Sequence, residues 1–104
     1  MHNMVYLIGR LTKDLEVKEG ESGNKYAFIT IACQRSYKNA ENVYETDFIP
    51  VRMFGVIAEN TAEYCKKGDL VGIKGQLQVK DNEMFVVADK ITFLASKKTH
   101  EEDE

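Results

Sequence analysis

Cysteine, histidine and proline are scarce in this 104-residue chain, and each scarcity removes a class of function. Cys33 and Cys65 stand far apart with no histidine nearby, which excludes a disulfide framework and a zinc-ligand set, and both read as reduced, packed thiols. His2 and His100 lie near the two ends. No Ser/His/Asp or Cys/His constellation forms around them, so no catalytic site and no cofactor is expected. Gly72 and Gly75 in VGIKGQ are too few and wrongly placed for a phosphate-binding loop, and read as close backbone approach in a curved strand. No apolar run approaches the roughly 20 residues of a membrane helix. The opening MHNMVYLIGR has neither a cleavable apolar segment nor transit-peptide composition, so a cytoplasmic location is expected.

Excess positive charge is also lacking, since the formal net charge is -3. Its distribution matters more. Glu101, Glu102, Asp103 and Glu104 supply four of the 17 acids, whereas all 14 Lys and Arg lie at or before Lys98. A groove of positive local potential is compatible with that arrangement. Length and composition fit one globular domain, placed at 1–97, followed by a short acidic tail at 98–104 that is expected to be disordered.

Residues 4–11, MVYLIGRL, read as a strand followed by a polar loop, and YAFITIAC at 26–33 reads as a second strand. A long connection is expected around 38–44. DFIPVRMF at 47–54 is a third strand, in which Pro50 must lie at an edge, at a bulge or where pairing is one-sided. VIAENTAEYCKKG changes period, with Ile57, Thr61, Tyr64 and Cys65 on one face, and predicts a helix ending in a basic turn, Lys66 and Lys67, with Gly68 as its stop. Two further strands follow around the turn Lys80-Asp81-Asn82-Glu83, with Val71, Ile73, Leu77 and Val79 as the apolar set. Three strands, one short helix and two strands is the order of an all-β, five-stranded OB-fold barrel.

Side chains alternate across a strand, so the third strand can be sorted directly. Ile49, Val51 and Met53 form one set, and Phe48, Pro50, Arg52 and Phe54 the other. With the first set inward, two phenylalanines share an outer face with an arginine. Single-stranded nucleic acid needs such a surface: rings for the bases, each contributing about 1 to 3 kcal/mol, and cations for the phosphates. Arg35, Lys38, Lys13, Lys74 and Lys80 are secondary candidates. The competing explanation is that Phe48 and Phe54 pack beneath the helix or in a subunit interface.

NMVYLIGRLTKDLE at 3–16 resembles the opening of bacterial single-stranded DNA-binding proteins, close to N-x-V-x-L-V-G-R-L-T-K-D-P-E, with Leu15 where proline is usual. ITIACQRSYKNA at 29–40, TDFIPVRMFG at 46–55 and AENTAEYCKKGDLVGIKGQLQ at 58–78 extend the similarity. The resemblance implies base-stacking roles for Tyr37, Phe48 and Phe54, and a homotetramer built partly through the first strand. It implies sequence-tolerant protection of single-stranded DNA in replication, recombination, repair or DNA uptake, in the cytoplasm with the nucleoid. The turn KDNE is much shorter than the hairpin loop that carries a further stacking aromatic in some members, so a smaller footprint is expected. The ending ASKKTHEEDE lacks the long linker and Pro-Phe tip of full-length members, which predicts weak or no recruitment of replication and repair proteins through the tail. An RNA-binding or primosome-type accessory OB domain is the alternative.

Overall fold

A computed structural model describes residues 1–97 of the chain; the acidic segment at 98–104 lies outside the described residues. The elements are β1 (Val5–Leu11), β2 (Lys18–Glu19), β3 (Lys25–Lys38), β4 (Tyr44–Phe54), α1 (Val56–Tyr64), β5 (Leu70–Lys80) and β6 (Glu83–Ala95). The sheet order is β1-β5-β6-β4-β3-β2, and β1 also pairs with β3 at Arg10↔Ala32 and Leu11↔Ile31. That last pairing closes β1, β5, β6, β4 and β3 into a five-stranded barrel, as the element order predicts. The two-residue β2 is a small addition, hidden in sequence among the polar residues of the first loop.

The barrel is filled by the inward halves of its alternating strands. Leu11, Ile31, Val51, Met53, Val71, Ile73 and Val86 are each at most 2% exposed. Burying an aliphatic side chain of this size contributes about 1.5–3 kcal/mol, so these residues dominate the stability of the barrel. Cys65 is buried in the same core and Cys33 is half-buried; both thiols are free. Burial first, and then the neighbouring carboxylates of Asp47 and Asp69 respectively, push the Cys33 and Cys65 pKa values up, which keeps both thiols protonated and unreactive.

Three boundaries differ from the sequence expectation. β3 runs on to Lys38 and β4 begins at Tyr44, so the connection is 39–43 rather than 38–44. The polar stretch remains paired through Gln34↔Thr46 and Lys38↔Tyr44 across a bulge. Asn39 organises the turn: its Oδ1 accepts from the Glu41 and Val43 N–H groups at 2.9 and 3.0 Å. The helix stops at Tyr64, so Lys66 and Lys67 are not its last turn; Cys65 is already extended. Asp69 accepts the Lys66 N–H at 2.7 Å, and Asp14 the Lys67 N–H at 2.7 Å, which fixes these two backbone positions outside the helix. The buried helical face is Ala58 and Thr61, continued by Cys65, whereas Tyr64 is exposed, contrary to expectation.

Pro50 faces Thr30 of β3, while β6 meets β4 only at Val51↔Val86 and Arg52↔Val87. Pairing at the proline is thus one-sided. In the β5–β6 hairpin the two-residue turn is built on Asp81 and Asn82, both at positive φ. Val71 and Ile73 are buried as expected, but Leu77 and Val79 are exposed, because the hairpin runs past the two β4 residues that would otherwise flank it.

Gly75 sits at the β5–β6 irregularity where Lys74 pairs with Lys90 but Gly75 with Ala88, leaving Asp89 as the extra residue. A Cβ on Gly75 would collide with the Val87 carbonyl, which is backbone and cannot swing aside. Gly75→Ala is predicted to cost about 1–3 kcal/mol by denaturant unfolding. Gly20→Ala, whose added methyl would meet nothing nearer than the Asn24 carbonyl at 3.7 Å, is the control and should cost much less. Equal effects would contradict the close approach.

Candidate nucleic-acid interface

The alternation of β4 holds in three dimensions. Val51 and Met53 are buried and Ile49 packs against the core, whereas Phe48 is 65% and Phe54 47% exposed. Packing of the two rings beneath the helix is therefore excluded. Across six residues of extended chain they are separated by about 20 Å.

The same period applies to β3, where Ala27, Ile29 and Ile31 are buried and the even-numbered residues face outward. Register then places Tyr26 opposite Phe54, Phe28 opposite Arg52, Thr30 opposite Pro50 and Ala32 opposite Phe48. The ring centroids of Tyr26 and Phe28 are 5.2 Å apart, and Phe28 meets Phe54 edge-on at 6.4 Å. The Arg52 guanidinium carbon lies 4.6 Å from the Phe28 ring centre and 3.7 Å from that of Phe85, a buried residue of β6. Tyr26, Phe28 and Phe85 were not among the sequence candidates. Sorting the second strand by alternation, as was done for the third, would have exposed the first two.

The cations separate into three groups. Lys13, from the connection after β1, joins the ring surface: it lines one cleft with Phe28, Thr30, Pro50, Arg52 and Glu83, and another with Glu16, Lys18, Tyr26 and Phe28. Lys80 is at the exposed hairpin tip, two residues beyond Gln78, which pairs with Phe85. Lys74 lies instead on the flank where β5 pairs Tyr6 of β1 and Lys90 of β6. Tyr37 and Lys38 sit at the far end of β3, beyond the bulge. Tyr37 is exposed, and Lys38 Nζ is 5.5 Å from the ring centre of Tyr44, a further exposed aromatic.

Arg35 is committed within the protein. Its Nε and Nη2 donate to the two carboxylate oxygens of Asp47, each at 3.0 Å, and Nη1 donates to Glu45 Oε2 at 2.7 Å. These bonds, led by the one to Asp47, push the arginine pKa up and hold the Asp47 carboxyl below its ordinary value. The trio clamps β3 to β4 next to the bulge, so Arg35 reads as a strand fastener. Among the described residues no group of His, Cys, Asp or Glu could hold a metal ion.

The pair has a pH signature. Because the folded Asp47 pKa is depressed, its stabilisation is complete above the unfolded value of about 3.9 and is lost as pH falls through the folded value. Asp47→Asn should lower the melting temperature at neutral pH, modestly because the pair is partly exposed, with the gap to the natural chain closing below about pH 3. A gap unchanged between neutral and acid pH would contradict the assignment.

Outward rings interleaved with an arginine on a closed five-stranded barrel can be compared with known proteins. The chain is 39% identical over 106 residues to "Single-stranded DNA-binding protein B" of Bacillus subtilis, covering 93% of this chain and 94% of that one. It is 42% identical over 106 residues to "Single-stranded DNA-binding protein 1" of Clostridium acetobutylicum, covering 92% and 96%. A Staphylococcus aureus protein named "Single-stranded DNA-binding protein 1" is 40% identical over 108 residues, covering 95% of this chain and 69% of that one. Residues 2–92 match the model of the single-strand binding protein family, and the chain belongs to that family.

Proposed function

We propose that the chain binds single-stranded DNA on the outer face of β3 and β4, with bases on the rings and phosphates on Lys and Arg. The observation that carries this is the exposed pair Phe48 and Phe54 flanking Arg52 on a face turned away from the core. Rings left against water on a sheet surface are unfavourable unless something covers them, and every base has a π-face that can. No step of chemistry is needed: the family to which the chain belongs binds DNA without catalysis, and the chain is a binding protein rather than an enzyme. Family membership does not favour the RNA-binding or primosome-type alternative.

Residues 1–97 serve as the binding domain in this reading and 98–104 as an acidic appendage. Tyr37, Lys38, Lys13 and Lys80 supply secondary contacts. Lys74, on the β1 flank, and Arg35, already paired, rank last. Self-association as a homotetramer through β1 is supported by the exposure of Tyr6 and Ile8 on that strand, which a partner would cover. No helix of the described residues is long and apolar enough to cross a membrane, and we place the protein in the cytoplasm with the nucleoid. It serves replication, recombination, repair or DNA uptake. The tail has acids without an aromatic anchor, so its recruitment of replication and repair proteins is weak or absent.

Phe48→Ala and Phe54→Ala should each weaken binding to oligothymidylate by about 1 to 3 kcal/mol with melting temperature nearly unchanged, because neither ring is in the core. Affinity should fall steeply with salt and favour unpaired DNA over duplex DNA and RNA of equal length. Normal binding by both variants, or equal affinity for the three ligands, would contradict the assignment.

A further inference from the structure

We infer that Phe28 is an additional base-binding ring, and that the edge of Arg52 together with Lys13 receives the phosphates beside it. The nucleic acid then extends beyond Phe54 toward the β1–β2 connection. This rests on the single-stranded DNA reading and goes past the residues from which that reading starts.

Phe28 is 49% exposed, as open as Phe54, and is held from three sides without being covered. Tyr26 tilts against it, Phe54 meets it edge-on and Arg52 lies over it. The ring separates two clefts, and Lys13 borders both. A strand crossing this ridge would find an aromatic surface for a base at the crest and a cation on the slope.

Arg52 differs from Arg35 in what is left over. The donors of Arg35 are spent on Asp47 and Glu45. Arg52 lies between the rings of Phe28 and Phe85, and its N–H groups have no hydrogen-bond partner among the described residues. With a ring on either side, stacking on a base is blocked and the edge of the guanidinium remains. That edge is a planar fork suited to a phosphate, already ordered by its two cation–π contacts. Glu83 and Glu16 contribute one carboxylate to each cleft, and neither is ion-paired to Lys13 or Arg52. They tune the potential of the clefts without neutralising these cations.

The chain has no tryptophan, so Phe28→Trp introduces a single indole as a fluorescent reporter. With oligothymidylate binding followed independently by anisotropy of a labelled strand, the emission of the Phe28→Trp variant should be quenched in step with saturation. Phe28→Ala should bind about 5- to 150-fold more weakly, the range for loss of one stacked base, with an unchanged melting curve. Arg52→Lys keeps the charge but loses the fork, and should weaken binding while leaving the salt slope as in the natural chain. Unquenched indole emission in a saturated complex, or Phe28→Ala binding within about twofold of the natural chain, overturns the inference even if Phe48→Ala is defective. Failure of the natural chain to bind would instead overturn the single-stranded DNA reading.

Discussion

The register of β3 against β4 is the constraint on which the rest of the molecule depends. From Tyr26↔Phe54 to Gln34↔Thr46 the two strands pair without interruption, and inward residues on one stand opposite inward residues on the other. Side chains repeat every second residue, so a slip by one would bring Phe48, Arg52 and Phe54 into the barrel and turn Val51 and Met53 out. The buried half of the ladder therefore fixes the exposed half. Core packing and the ring surface are two sides of one pairing, and the Arg35–Asp47–Glu45 cluster fastens it where the bulge begins.

That coupling explains why a chain with net charge -3 can carry a nucleic-acid surface. Affinity for a polyanion depends on which cations are free and where they stand. Ion pairing removes Arg35 from the count, while Lys38, three residues on, leans over Tyr44. Arg52 is the opposite case, with its faces occupied by rings and its hydrogen-bonding edge unused. Two arginines of the same chain thus have a structural and a ligand-facing task, decided by whether a carboxylate or a phenylalanine stands across the strand.

Much of this was legible from residue order. The five strands and the helix after the third follow from β-branched runs, one change of period and the Asp81-Asn82 turn, and the sorting of β4 needed only its alternation. Signals carried by polar residues were harder to read. The stretch Gln34 to Lys38 looks like loop because it is hydrophilic, yet it stays paired since both faces of the ladder there meet water. Lys66 and Lys67 look like a helical last turn, but Asp69 and Asp14, distant from the helix pattern, capture their N–H groups. Leu77 and Val79 follow the alternation and still face solvent, because burial needs a third strand that ends too soon. Phe28 was hidden within an evenly apolar run, and Arg35 gave no sign that two acids on the next strand would consume it.

The central claim is spatial: single-stranded DNA lies on the outer face of β3 and β4. Backbone amide shifts in the presence of a saturating oligothymidylate test it directly. The account predicts that the largest changes map to Phe28, Phe48, Arg52, Phe54 and the connection around Lys13, with Tyr6, Ile8 and the residues of α1 nearly unmoved. Changes centred on α1 or on the outer face of β1, with the β3–β4 face silent, would contradict it.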